Sequence, residues 1–122
     1  MDESKMKKFD DYQSKTHKFF IGDGKKYKVK NDNKKLLIAR MALGICGESG
    51  EIAEKVKKYL RGDYPLKDLK KRISAEAGDK LWYLSEFLSI FDIKLSDVAQ
   101  QNLDKLADRR KRGVIIGDGD DR

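Results

Sequence analysis

Residues 66–90 read LKDLKKRISAEAGDKLWYLSEFLSI, and this stretch decides the fold class. Apolar side chains recur in it every three or four residues, which is the spacing that places them along one face of an α-helix. They are Leu66, Leu69, Ile73, Ala77, Leu81, Leu84 and Leu88. Pro65 stands immediately before the stretch, and proline suits the first turn of a helix. We therefore predict a helix over about 66–90.

Three further segments show the same helical spacing, at about 4–20, 33–60 and 96–112. Ser96 is the predicted N-cap of the last helix, and Gly113 follows its basic end. The chain contains a single proline, so these segments are free of helix breakers. The sequence therefore predicts an all-α fold, a bundle of four to five helices.

The length of 122 residues is typical of one domain, predicted here as residues 1–122. Its charge is high, with 28 Lys and Arg against 21 Asp and Glu, a net charge of +7. Leu, Ile, Val and Phe supply 30 of the residues, above the ~20% below which chains fail to form a core. We expect an exposed Lys-rich loop at 22–35 and a polar C-terminal tail at 113–122.

The counts of cysteine and histidine exclude several kinds of site. Cys46 is the only cysteine and His17 the only histidine, so an intrachain disulfide, a cysteine zinc site and paired-histidine chemistry are all excluded. A lone cysteine also suits a reducing compartment. No apolar run approaches the ~20 residues of a membrane span. We expect a cytoplasmic protein that does not associate with a membrane.

Two acidic pairs interrupt the apolar pattern of the second and third predicted helices. They are Glu48 with Glu51, and Glu76 with Asp79. Residues three apart lie on one helix face, and the chain between the pairs is long enough to turn and return antiparallel. Four carboxylates that converge in a partly buried place repel one another unless cations lie between them. Oxygen ligands favour hard ions, so the pattern predicts a Mg²⁺ site, with Mn²⁺ as a substitute.

A simpler interpretation is that these acids are solvated and pair with lysines on the same helix. Those lysines are Lys55, Lys57 and Lys58. Four glycines inside the helices favour the metal site, because each costs a helix about 1 kcal/mol relative to alanine. They are Gly44, Gly47, Gly50 and Gly78. We expect a backbone, a ligand or an ion to approach closely beside them.

At these residues the sequence resembles the MazG-like all-α nucleoside triphosphate pyrophosphohydrolases, which are marked by E-x-x-E followed by E-x-x-D. The matching stretches are GESGEIAEK at 47–55 and EAGDKLWYL at 76–84. The similarity continues in SDVA at 96–99, NLDKLADR at 102–109 and GDGDDR at 117–122. It runs in one consistent order from about residue 36 onward.

The resemblance implies Mg²⁺-dependent cleavage between the α- and β-phosphates of a nucleoside or deoxynucleoside triphosphate, giving a monophosphate and pyrophosphate. It implies that the metal ligands and catalytic carboxylates are Glu48, Glu51, Glu76 and Asp79. It implies substrate-binding roles for Lys55, Tyr83, Asn102, Lys105 and Arg109, with Arg112 and Arg122 as further candidates. Trp82 is a candidate because its ring could stack on a base, although a core position suits it as well. A glutamate of the first pair, either Glu48 or Glu51, would orient or deprotonate the attacking water.

The main alternative is a basic helical module that binds nucleic acid without catalysis. Its support is a pI of about 9.4, the Lys-rich loop and the basic cluster at 109–112. No helix-turn-helix, RNA-recognition or zinc signature accompanies this charge, so a nucleic-acid partner is disfavoured. A third possibility is a helical assembly protein that binds no metal. The apolar stripes and the resemblance together predict a homodimer or homotetramer.

Overall fold

The computed structural model describes the backbone of residues 3–19 and 31–122, with side chains from 7–19 and 34–122. Its elements are α1 Glu3–Thr16, a 3₁₀ turn His17–Phe19, α2 Asn31–Leu60, α3 Leu66–Ile90 and α4 Leu95–Arg112. The described ranges contain four α-helices and no strand, which confirms the all-α prediction. In these ranges no helix is both long and apolar enough to cross a membrane.

Helices α2 and α3 form an antiparallel hairpin, the most extensive helix contact in the molecule. Gly62 permits the tight turn between them, since its φ of +90° is a conformation that L side chains rarely adopt. Its N–H donates to the carbonyl of Tyr59. At the other end of the hairpin, Leu37 and Met41 of α2 pack with Ile90 of α3. The two ends together fix which residues of α2 face which residues of α3.

Helix α1 packs against α3 and α4. The side-chain amide of Gln13 holds this junction together. Its Oε1 accepts a hydrogen bond from the N–H of Leu95 at 2.8 Å, and its Nε2 donates to the carbonyl of Ile93 at 2.9 Å. The same Nε2 lies 3.2 Å from the hydroxyl of Ser89 on α3. One side chain therefore links α1, the end of α3 and the start of α4.

The N-terminal cap of the last helix differs from the prediction, because Gln13 provides it. Helix α4 begins at Leu95, one residue before the Ser96 that the sequence suggested as its N-cap. Lys94 occupies the cap position and makes no side-chain cap bond, while Ser96 is buried. A side chain 82 positions earlier thus supplies the acceptor that a local serine was expected to provide. The predicted end of α4 is confirmed, because Gly113 has a left-handed φ of 73° there.

Two other predicted boundaries need correction. Helix α2 begins at Asn31, close to its predicted start at about 33, so residues 31–35 of the predicted Lys-rich loop are helical; residues 22–30 of that loop lie outside the described residues. The first helix ends at Thr16, and a 3₁₀ turn replaces its predicted last turn.

A fully buried carboxylate explains the end of α1. Glu86 of α3 has no exposed surface, and its Oε1 accepts a hydrogen bond from the Thr16 hydroxyl at 2.8 Å. Its Oε2 lies 3.1 Å from Nδ1 of His17. A buried carboxylate is stable only when such partners replace water. Glu86 therefore fixes the point at which α1 changes to the 3₁₀ turn.

Gly44 lies where the hairpin packs most tightly. A Cβ added there would meet ring atoms of Tyr83 at 2.3 Å, whereas one added at Gly47 meets nothing within 4 Å. We expect Gly44→Ala to lower the melting temperature, because the Tyr83 ring must move, at a cost of about 1–3 kcal/mol. Gly47→Ala, the matched control, is expected to raise it through better helix propensity. Thermal unfolding followed by circular dichroism measures both, and equal melting temperatures would contradict the packing argument.

Candidate active site

The hairpin brings three of the four sequence-predicted carboxylates into one cluster. Glu48 of α2 and Glu76 and Asp79 of α3 each offer an oxygen atom, and these oxygens all lie within 4.8 Å of one another. Glu48 and Glu76 are half-buried and Asp79 is exposed. A group of carboxylates this close together could hold a divalent ion.

The fourth predicted ligand, Glu51, lies outside this cluster. Its side chain is 55% exposed, and its Oε2 is 3.9 Å from the ammonium of Lys55. The same ammonium is 3.6 Å from Oε1 of Glu76. Glu51 is therefore connected to the cluster through a shared lysine.

Burial and the neighbouring acidic residues both act on the pKa of Glu48. Partial burial, the hydrogen bond with Glu76 and the charges of Asp79, Glu76 and Glu51 raise the pKa of Glu48 above its ordinary value. Each of these effects disfavours the ionised carboxylate. A cation in the cluster would reverse the electrostatic part of this effect, so the donor set is suited to binding one.

Lys55 already supplies part of the required positive charge. Only 19% of its side chain is exposed, and its ammonium lies between Glu51 and Glu76. The hydroxyl of Tyr64, in the turn between α2 and α3, donates to the backbone carbonyl of Lys55 and so ties this turn to α2. The structure thus places Lys55, a predicted substrate-binding residue, directly beside the carboxylates.

The two predicted aromatic residues have packing roles in this structure. Tyr83 and Trp82 pack on the core at an interplanar angle of 81°. The indole Nε1 of Trp82 donates to the carbonyl of Thr16 at 3.1 Å. Tyr83 also lies against Gly44. Of the glycines expected to allow close approach, Gly44 does so; a Cβ added at Gly47, Gly50 or Gly78 would meet open space.

The predicted substrate-binding residues of α4 do not contact the carboxylates. Asn102 is exposed. Lys105 donates to Oδ1 of Asp120 at 3.0 Å, and Nη2 of Arg109 donates to the same oxygen at 2.9 Å. These two hydrogen bonds lower the pKa of Asp120, which therefore stays ionised. Within the described residues, no hydrogen bond or ion pair joins Lys105 or Arg109 to the metal-binding cluster.

The last two candidate arginines fold the segment 113–122 back onto the end of α4. Arg112 donates from Nε to Asp108 at 2.8 Å and from Nη2 to the carbonyl of Arg122 at 2.6 Å. Arg122 donates to the carbonyls of Val114 and Ile115, each at 3.2 Å. Both arginines therefore make structural contacts within the chain.

Tyr12 and Glu86 were not among the predicted site residues. Burial, followed by the charges of Asp79 and Glu86, raises the pKa of Tyr12 on α1. Glu86 stands between Leu84 and Leu88 of the apolar stripe. A charged residue inside such a stripe was the available signal for a buried, satisfied carboxylate.

Comparison with known proteins agrees with this geometry. The model of the MazG nucleotide pyrophosphohydrolase domain matches residues 38–114, which include the whole carboxylate cluster. The "Gene 37 protein" of Mycobacterium phage L5 is 44% identical over 87 residues, covering 70% of this chain and 76% of the phage protein. No solved structure matches the chain.

The family match covers more than half of the chain and contains its carboxylate cluster. This family typically uses a divalent metal ion. The chain belongs to the MazG nucleotide pyrophosphohydrolase family and is a nucleoside triphosphate pyrophosphohydrolase, a hydrolase.

Proposed function

We propose that this enzyme hydrolyses nucleoside or deoxynucleoside triphosphates between the α- and β-phosphates, releasing a monophosphate and pyrophosphate with Mg²⁺ as cofactor. The observation that supports this most directly is the convergence of Glu48, Glu76 and Asp79 on the α2–α3 hairpin. We propose Mn²⁺ as a substitute ion, because it shares the preference of Mg²⁺ for oxygen ligands. The activity belongs to a single domain of a cytoplasmic protein.

The residues present fit a hard divalent ion. The donors are all carboxylate oxygens, and the pKa of Glu48 is raised by burial, by the hydrogen bond with Glu76 and by the neighbouring negative charges. Glu48, Glu76 and Asp79 would hold the ion, and Glu51 would join them by releasing Lys55. When bound, the ion supplies positive charge at the triphosphate and makes water more acidic.

The protein's side chains would accept the proton of the attacking water and bind the phosphates. A glutamate of α2 that is not occupied by the ion, either Glu48 or Glu51, accepts the proton of the attacking water. Lys55, once released from the carboxylates, has a long flexible stem and can reach a phosphate oxygen. Lys105 and Arg109 add charge-assisted hydrogen bonds to the phosphates. The family resemblance is the support for Tyr83 and Asn102 as substrate contacts, whereas the structure packs Tyr83 against Gly44.

The alternative of a nucleic-acid-binding module is weaker, because the family model that matches residues 38–114 is that of a nucleotide pyrophosphohydrolase. Part of the basic cluster on α4 is also paired on its own helix, since Arg112 binds Asp108. Electrostatic binding of nucleic acid weakens steeply with salt and needs no Mg²⁺. Hydrolysis should instead stop with a chelator and return with Mg²⁺ or Mn²⁺, so the two functions separate in one set of assays.

The carboxylates of α3 provide the first test. We expect Glu76→Gln and Asp79→Asn to reduce triphosphate hydrolysis at least a hundredfold, on the order of the loss when one charge-stabilising group is removed. Glu54→Gln is the control, because Glu54 pairs with Lys57 and Lys58 outside the cluster. Mass spectrometry of products from a panel of triphosphates measures the activity and identifies the bond cleaved. Full activity in either α3 variant would refute the site.

A second test uses stability without metal. Because the pKa of Glu48 is raised on folding, the native state binds more protons than the unfolded state above the ordinary carboxyl pKa. Stability therefore falls as pH rises through that window. In the presence of a chelator at neutral pH, we expect Glu48→Gln to raise the melting temperature by a few degrees. The gain should vanish in acid, where Glu48 is protonated in both states; a melting temperature below that of the wild type at neutral pH would contradict this.

We further propose that the enzyme assembles as a homodimer or homotetramer through α2. One face of this helix carries apolar and small residues at alternating spacings of three and four, as in a coiled-coil seam. These residues are all exposed: Leu36, Ala39, Leu43, Cys46, Gly50 and Ala53. Leu36 and Leu43 are 71% and 70% exposed. A second copy of the chain would cover this surface.

Sedimentation tests the assembly. We expect Leu43→Glu to shift an oligomer to a monomer at micromolar concentration, because it buries an unpaired charge in the seam. Ile116→Glu is the control, since Ile116 is 95% exposed but lies in the segment after α4. A wild-type protein that sediments as a monomer would contradict the proposal, and so would a Leu43→Glu oligomer unchanged in mass.

A further inference from the structure

In the segment after α4, the carboxylate of Asp120 binds the two basic residues that are proposed to bind phosphate. Oδ1 of Asp120 accepts from both Lys105 and Arg109, at 3.0 and 2.9 Å. Nη2 of Arg109 also donates to the backbone carbonyl of Asp120 at 2.6 Å. A carboxylate and a phosphate accept the same charge-assisted hydrogen bonds from lysine and arginine. Asp120 therefore occupies positions that phosphate oxygens could take.

The placement of Asp120 results from a specific fold of this segment. Arg122 donates to backbone carbonyls at Val114 and Ile115, which turns the chain back toward α4. The Arg122 side chain lies close to Gly117, where an added Cβ would be 2.7 Å from its Cδ. Several independent contacts thus bring Asp120 to Lys105 and Arg109.

The carboxylate uses the guanidinium of Arg109 only in part. The Arg109 side chain is 6% exposed, and its Nε is buried without a hydrogen-bond partner. Nε and Nη2 form one edge of the guanidinium, the edge that binds two oxygens of a single anion. Asp120 engages Nη2 alone. An anion with more oxygens, such as a phosphate, could satisfy Nε as well.

Breaking the ion pair has a different free-energy cost for Asp120 and for Arg109. The Asp120 side chain is 80% exposed, so water can replace its contacts easily. Arg109 is buried, and a buried guanidinium without an anion is unfavourable. Release of the Asp120 carboxylate from Arg109 is therefore favoured when another anion binds Arg109 in its place.

We propose that Asp120 is an internal substitute for a substrate phosphate, bound to Lys105 and Arg109 in the free enzyme and displaced by the triphosphate. This inference rests on the proposed function, since it takes Lys105 and Arg109 as phosphate-binding residues. The apparent affinity for substrate is then the intrinsic affinity multiplied by the fraction of molecules in which the contact is open. The contact is an autoinhibitory device in the segment that follows the family match, which ends at residue 114.

Calorimetric titration with inorganic tripolyphosphate, in the absence of divalent metal, tests this without catalysis. We expect Asp120→Asn to bind tripolyphosphate roughly two- to fivefold more tightly than the wild type, the range expected for loss of an exposed ion pair. Asp121→Asn is the matched control, because it removes the same charge from the neighbouring exposed position. It should change the affinity less than Asp120→Asn does.

The outcomes separate this inference from the proposed function. Equal effects of the two variants would overturn the inference, as would weaker binding by Asp120→Asn or no binding by either protein. Tighter binding by Asp120→Asn supports it even when no triphosphate is hydrolysed, and that combination would refute only the proposed reaction. In the hydrolysis assay, the same variant should lower KM by a similar factor.

Discussion

Repulsion among the carboxylates of Glu48, Glu76 and Asp79 is the constraint on which the rest of the structure depends. Their oxygens lie within 4.8 Å of one another, so two helices must be held together against their own charges. The apolar contacts of Leu37, Met41 and Ile90 at one end of the hairpin oppose this repulsion. Lys55 reduces it locally, from between Glu51 and Glu76. The hairpin therefore sets the distances, and a cation would relieve the strain that those distances create.

The sequence predicted the elements that depend on local periodicity, and it could not predict the contacts between distant side chains. Helix α3 spans Leu66–Ile90, as its apolar spacing indicated. The carboxylates converge because spacings of three and a helical hairpin leave few other arrangements. Gln13, by contrast, caps α4 across more than 80 positions. A hydrogen bond of this kind leaves no periodic signal, so the nearby Ser96 was the better local candidate and was wrong.

The glycines of α2 also separate what the sequence could predict from what it could not. Their cost to α2 indicated that something approaches the helix closely, and at Gly44 it is the ring of Tyr83. Nothing lies within 4 Å of a Cβ built at Gly47 or Gly50. Gly50 belongs to the exposed face of α2 proposed as the subunit seam, where a residue without a side chain allows helices to approach. The sequence could show that a glycine within a helix is unfavourable and needs an explanation. Which group packs against that glycine depends on the fold.

The net charge of +7 has a different meaning once the pairing of charges is known. A basic cluster at the end of a helix usually suggests an open surface for a polyanion. On α4, however, Arg109 and Lys105 share Asp120, and Arg112 binds Asp108 and the backbone of Arg122. These bases act at defined geometry on particular oxygens, and Arg109 does so from a buried position. In the proposed function, such an arrangement would recognise a triphosphate by the number and placement of its oxygens.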